Sequence, residues 1–134
     1  MSVPAALFNP RTGKFVLWFQ HVLRTTNSTK GIATGVKAVA VSDTPQGPFV
    51  VHSWDASAGV PGMLGSTGQK VWATAEGEAY MAHNGAAVID GWPKGQYVSK
   101  LSPDFLSIVA SSEVFGEAQV SRHFQMQCLI QMVT

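Results

Sequence analysis

The segment from Val71 to Leu101, VWATAEGEAYMAHNGAAVIDGWPKGQYVSKL, decides the fold because an earlier part of the chain repeats its pattern. It consists of an apolar pair, a turn ending in Gly77, an apolar run, a loop and a second apolar run. The same parts follow one another from Leu7 to Ser42, where Gly13 ends the turn. A unit of roughly 60 residues is therefore repeated, which is typical of propellers and other repeat architectures.

The composition limits the size of the protein and the kinds of partner it can have. With 134 residues, the chain is long enough for one domain. Nine basic and eight acidic residues give a net charge of +1, and no run of like charge occurs. We therefore expect neither a nucleic-acid partner nor a membrane partner. Only 13% of the residues are charged and 46% are apolar, so more surface is expected to be buried than one small domain can bury.

No metal site, cofactor site or disulfide is predicted. Cys128 is the only cysteine, and His21, His52 and His123 do not have the spacing of metal ligands. No glycine-rich phosphate loop is present, so no cofactor is expected. The sequence shows no signal peptide and no apolar run long enough to cross a membrane, and it leaves the compartment open.

The spacing of glycine and proline indicates short strands joined by turns. These two residue types number 20 and keep the apolar runs short. In a first unit, about 4–53, strands are predicted near Ala5–Phe8, Lys14–Phe19, Val36–Ser42 and Phe49–Ser53. In a second unit, about 70–112, strands are predicted near Lys70–Ala73, Glu78–His83, Tyr97–Leu101 and Ser107–Ser112. An extra strand is predicted at about 123–133, where apolar residues alternate with glutamines.

The expected fold is all-β, with antiparallel four-stranded blades of an incomplete β-propeller. Four strands per repeat is typical of a propeller blade, and each blade must be covered by a neighbour. About two blades cannot close a ring. Residues 1–134 are therefore interpreted as a partial propeller domain, which is either a piece of a larger propeller or able to self-associate through exposed blade faces.

Three segments carry a resemblance to a known family. The sequence VAVSDTPQGPF at 39–49 matches a motif of glycoside hydrolase family 43 almost letter for letter, and 71–82 and 97–106 match further parts. Over roughly 4–119 the chain is similar to this family, and most similar to its exo-β-1,3-galactanases. The resemblance implies a five-bladed propeller of carbohydrate metabolism, an oligo- or polysaccharide partner such as a β-galactan, and an extracellular setting.

The resemblance also implies an inverting glycoside hydrolase, which normally needs a carboxylic acid and a second carboxylate about 6.5–9.5 Å apart. The acid of the family aligns with Glu117, which is therefore the candidate catalytic residue. A family aspartate that raises the pKa of this acid aligns with Gly68, and another acidic position falls at Ser2 or is lost before it. Catalysis is therefore expected to be impaired or absent.

Four other residues are candidates for contact with a sugar. His83 and Asn84 enter a long loop where the resemblance implies sugar contacts, but a solvated strand end is the simpler interpretation. Trp92 and Trp54 could stack on a pyranose ring or could anchor loops between blades.

Some side chains have a purely structural expectation, and three functional hypotheses remain. The expected core tryptophans are Trp18 and Trp72, and the aspartates expected to cap turns are Asp43 and Asp104. The chain is a truncated or degenerate hydrolase, a non-catalytic carbohydrate-binding protein, or a structural fragment without independent function.

Overall fold

The computed structural model describes residues 2–23, 34–57, 60, 69–84 and 95–115. Every regular element in these ranges is a strand, and they are β1 (Ser2–Asn9), β2 (Lys14–Leu23), β3 (Thr34–Ser42), β4 (Val50–Ser53), β5 (Gln69–Ala73), β6 (Ala79–Asn84), β7 (Gln96–Leu101) and β8 (Ile108–Phe115). Within the same ranges, no helix is long and apolar enough to span a membrane. The predictions for Trp92, Glu117, Cys128 and the extra strand at 123–133 lie outside the described residues.

The strands form two separate antiparallel sheets, in the order β1-β2-β3-β4 and β5-β6-β7-β8. This confirms the predicted all-β fold with four-stranded antiparallel units. All eight predicted strands are present, and the largest difference is at the end of β2. That strand continues to Leu23 instead of ending at Phe19, because its pairing with β3 extends as far as Leu23 and Thr34.

The repeated glycines have the same role in both sheets. Gly13 and Gly77 have φ angles of 68° and 82°, in the left-handed region that glycine tolerates best. The amide of Gly13 donates to the carbonyl of Asn9 at 2.8 Å, and that of Gly77 donates to the carbonyl of Thr74 at 3.0 Å. Each glycine therefore closes the turn between the first two strands of its sheet.

The main apolar core lies in the seam between the two sheets. Its buried members are Val16, Trp18, Val39, Val71, Ala79, Met81, Leu101 and Phe105. Trp18 is fully buried there, as predicted. Trp72 is only half-buried and stacks on Tyr80, with ring centroids 5.7 Å apart. The prediction of a core position for Trp72 is wrong because neighbouring strand residues alternate, and Val71 takes the side facing the seam.

The turn between β7 and β8 fixes one sheet against the other. Phe105 at this turn has a φ of 66°, is fully buried, and accepts a hydrogen bond from Trp18 Nε1 at 2.9 Å. The side chain of Asn9 donates to the carbonyl of Pro103 at 2.9 Å. Asp104 caps the turn, as predicted, because its Oδ1 accepts from the amide of Leu106 at 3.0 Å.

Asp43 does not cap the turn between β3 and β4, so that prediction is wrong. The hydroxyl of Ser42 accepts from the amide of Thr44 at 3.1 Å, and the hydroxyl of Thr44 donates to the carbonyl of Gly47 at 2.7 Å. Asp43 instead forms an ion pair with Lys14 on the neighbouring strand. The two hydroxyl side chains take over the role expected of the carboxylate.

Candidate functional site

Buried polar side chains gather at the end of the sheets where the connections 24–33 and 85–94 leave. The described members are Gln20, Lys37, Ser57, Gln69, His83, Gln96 and Ser99, none of which is more than 6% exposed. Strand register brings them to this end, since Gln20 pairs with Lys37 and Gln69 pairs with His83. Buried polar groups need hydrogen-bond partners, so this end of the molecule is built for polar contacts.

His83 is fixed by a chain of hydrogen bonds. Its Nδ1 is 3.0 Å from the main-chain oxygen of Asn84, and its Nε2 is 2.9 Å from the hydroxyl of Ser99. The hydroxyl oxygens of Ser99 and Ser111 are 2.9 Å apart. A carbonyl only accepts, so a neutral His83 carries its proton on Nδ1 and accepts from Ser99 at Nε2. Tyr97 stacks on the imidazole, with ring centroids 5.5 Å apart.

The electrostatics of the seam keep His83 neutral. The pKa of His83 is lowered to about 4, mainly by burial; the hydrogen bond to Asn84 opposes this shift, and the charge of Lys37 contributes to it. Burial also lowers the pKa of Lys37, to about 8. His83 is fully buried in the seam, so the interpretation of this strand end as solvated is wrong for His83. Lys37, whose charge acts on His83, lies 46 positions earlier in the sequence.

His83 and Asn84, predicted together as sugar contacts, lie on opposite faces of the second sheet. His83 has the same orientation as Ala79 and Met81, which belong to the core in the seam. Asn84 therefore lies on the face turned away from the first sheet. There its Oδ1 accepts a hydrogen bond from Gln96 Nε2 at 2.7 Å.

Gln96 was missed by the sequence analysis. Only 3% of its surface is exposed, and it pairs directly with Asn84 across β6 and β7. Gln96 could have been predicted from its position, because it begins the strand that follows the long loop. Two strands joined by a loop bring the residue before the loop next to the residue after it.

Trp54 lies on the face of the first sheet turned away from the seam. Its ring is 58% exposed and packs against Phe19 and His21, with centroids 6.2 Å and 5.1 Å away. It does not anchor a loop between the two described sheets. Its exposed ring remains available for stacking.

The described carboxylates do not have the properties of a general acid. None of them is buried. Hydrogen bonds from Lys100 at 2.6 Å and Tyr80 at 2.9 Å lower the pKa of Glu78. Hydrogen bonds from Ser102 and the amide of Leu106 lower the pKa of Asp104. A general acid needs its pKa raised, so both shifts are in the wrong direction.

No three His, Cys, Asp or Glu side chains of the described part lie close enough together to hold a metal ion.

Several solved structures that are similar to this chain are glycoside hydrolases of family 43. A GH43 β-1,3-galactosidase has a TM-score of 0.62 and 21% identity over 87% of this chain. A protein from Bifidobacterium bifidum described as an exo-β-1,3-galactanase has a TM-score of 0.51 and 25% identity over 80% of this chain. The fold is that of part of a family-43 propeller. The predicted resemblance to this family is therefore confirmed at the level of the fold.

A third similar structure contains a bound saccharide. The GH43_1 enzyme from Xanthomonas citri, complexed with xylotriose, has a TM-score of 0.56 and 22% identity over 83% of this chain. The chain spans 22%, 30% and 35% of the lengths of these three proteins, in the order given. No protein-family model and no curated protein matches the sequence.

Proposed function

We propose that this chain is a glycoside-hydrolase-like propeller segment of carbohydrate metabolism that binds β-linked saccharides of the galactan type. The observation that carries the proposal is the likeness in fold to family-43 enzymes over 80–87% of the chain. Two of these proteins are described as acting on β-1,3-linked galactose. The polar strand ends next to the connections 24–33 and 85–94 support the same proposal, because loops on a rigid sheet commonly carry binding function.

We further propose that the hydrolytic activity of the chain is weak or absent. The sequence aligns one carboxylate, Glu117, with the catalytic set of the family, and Gly68 stands where a second carboxylate is expected. Inversion at the anomeric carbon normally requires two carboxylic groups in different protonation states. The lowered carboxyl pKa values of Glu78 and Asp104 supply no replacement for the acid.

Binding of saccharides tests the main proposal. Calorimetry with the full chain should show tighter binding of β-1,3-galactotriose than of xylotriose. Trp92→Ala should weaken the binding if this ring stacks on a sugar, and Trp72→Ala is the matched control because Trp72 stacks on Tyr80. If neither saccharide binds, the chain is a structural fragment without independent function, and the proposal is rejected.

Hydrolysis separates the enzyme from the non-catalytic binding protein. We expect release of the aryl group from an aryl β-galactoside at a rate close to that of buffer alone. A rate well above buffer that disappears in Glu117→Gln and persists in Glu113→Gln would show an active enzyme. Glu113 is the suitable control because it is an exposed carboxylate on β8.

A further inference from the structure

We propose that the paired amides of Asn84 and Gln96 recognise two adjacent hydroxyl groups of a neutral pyranoside. The inference rests on the proposed function and assigns hydroxyl recognition to one side-chain pair. Asn84 ends β6 and Gln96 begins β7, and the two residues are direct partners in the sheet. They lie on the face turned away from the seam, beside the connection 85–94.

The hydrogen bond between the two side chains fixes the orientation of both amides. Gln96 Nε2 donates to Asn84 Oδ1 at 2.7 Å. This bond uses the acceptor of one amide and a donor of the other. It therefore directs Gln96 Oε1, an acceptor, and Asn84 Nδ2, a donor of two hydrogens, toward further partners.

Gln96 Oε1 is buried and has no hydrogen-bond partner within the part of the chain that the structure describes. Gln96 as a whole is only 3% exposed, whereas Asn84 is half-buried. A buried acceptor without a partner destabilises a protein, so such an atom usually has a functional explanation or holds a bound molecule. The partner required here must donate a hydrogen bond.

Adjacent hydroxyls of a pyranose ring fit this arrangement of groups. One hydroxyl donates to Gln96 Oε1, and its neighbour accepts from Asn84 Nδ2. A hydroxyl both donates and accepts, so a vicinal pair satisfies both amides at once. Neither amide is charged, which favours a neutral sugar over a sugar acid. A single ordered water is the competing occupant.

Deoxy sugars test the assignment with the full chain. Suitable probes are methyl β-galactopyranoside and its 2-, 3-, 4- and 6-deoxy analogues, with binding followed by NMR titration. Loss of one of the two recognised hydroxyls should weaken binding to the wild type by about tenfold, as expected for a lost hydrogen bond to a buried group. Gln96→Met keeps the side-chain length but has no acceptor oxygen. The deoxy analogue that lacks the hydroxyl bound by Gln96 Oε1 should therefore bind this variant as tightly as the parent sugar does.

Two further variants keep the test decisive. Asn84→Leu has a similar size but no donor, so the deoxy analogue that lacks the hydroxyl bound by Asn84 Nδ2 should bind this variant as tightly as the parent sugar does, even if Gln96→Met does not fold. Gln46→Met is the control, because Gln46 is exposed in the turn after β3 and should leave every affinity unchanged. Binding in which each deoxy analogue weakens wild type and variants equally would assign the amides to a water only, and would overturn the inference while leaving the proposed function intact. Absence of galactoside binding by the wild type would overturn both.

Discussion

The indole Nε1 of Trp18 donates a hydrogen bond to the main-chain carbonyl of Phe105, 87 residues later in the sequence, at 2.9 Å. Trp18 belongs to β2 of the first sheet, and Phe105 to the turn after β7 of the second. Both residues are fully buried. The bond therefore joins the two repeated units inside the core of the seam.

Replacement of Trp18 by Phe should destabilise the protein. Phenylalanine keeps an aromatic ring but leaves the carbonyl of Phe105 buried without its donor, which alone costs about 1–3 kcal/mol in the free energy of unfolding. The smaller ring adds the cost of a cavity. Urea unfolding followed by circular dichroism measures this loss. Trp72→Phe is the control, and it should cost clearly less because Trp72 is half-buried and lies outside the seam. Equal losses for the two variants would contradict a special role for the Trp18 bond.

At position 105, glycine should be tolerated at least as well as alanine. Phe105→Ala removes a fully buried ring and should cost about 3–5 kcal/mol in the free energy of unfolding. Phe105→Gly removes the same ring but relieves the cost of a left-handed φ, which is about 1–2 kcal/mol for a residue with a Cβ. Elsewhere in a strand glycine is less stable than alanine by about 0.5–1 kcal/mol. Thermal unfolding of both variants gives their order, and a less stable Phe105→Gly would show that the backbone at this turn is not strained.

The stability of the protein should fall when the pH is lowered from about 6.5 to about 4. Burial lowers the pKa of His83 to about 4, whereas the unfolded chain has a histidine pKa near 6.5. In this window the unfolded state binds more protons than the folded state, so protonation favours unfolding by up to about 3 kcal/mol. His83→Gln should flatten the pH dependence, and His52→Gln should not, because His52 is exposed. Identical pH profiles for the wild type and His83→Gln would count against a neutral buried His83.

A separate measurement tests the effect of Lys37 on the pKa of His83. Its charge contributes to the low pKa of His83. In Lys37→Met the pKa of His83, followed by NMR of the imidazole, should therefore rise. An unchanged pKa would mean that burial and the hydrogen bonds set it alone.

Self-association through exposed blade faces remains a prediction. Several large apolar residues near the last strand of each sheet are exposed. Their exposed fractions are 70% for Val50 in β4, 58% for Trp54 directly after β4, and 58% and 42% for Val109 and Val114 in β8. Exposed apolar edge strands favour pairing with another chain. Sedimentation velocity over a range of concentrations should show association that is weakened in Val109→Lys. Ala75→Lys adds the same charge in an exposed turn and should have no effect, and a wild type that is monomeric at all concentrations would refute the prediction.

The sequence was sufficient for the fold because the information that determines it is local. Gly13 and Gly77 mark the first turn of each sheet, and both have positive φ angles. The spacing of glycine and proline, which keeps the apolar runs short, indicated the strands. Asp43 was assigned wrongly because a turn pattern does not tell which of several oxygen atoms takes the capping role, and Ser42 takes it here.

The candidate site was less predictable because it depends on contacts between distant strands. The low pKa of His83 depends on its burial and in part on the charge of Lys37 in the first sheet, and no local sequence pattern shows this neighbour. His83 and Asn84 were grouped because they are adjacent, but a strand directs adjacent side chains to opposite faces. Gln96 was missed since its partner, Asn84, lies on the far side of the connection 85–94.

Among the described residues, each sheet consists of four strands that follow one another in the sequence. Such short-range pairing forms quickly, whereas contacts between distant segments form late in folding. We therefore expect the two sheets to assemble independently and to dock afterwards, so that Trp18→Phe accelerates unfolding and leaves the refolding rate unchanged. Stopped-flow kinetics would contradict this order of events if refolding slowed in proportion to the lost stability. If docking is the last step, the first sheet can form during translation, before the second sheet has been synthesised.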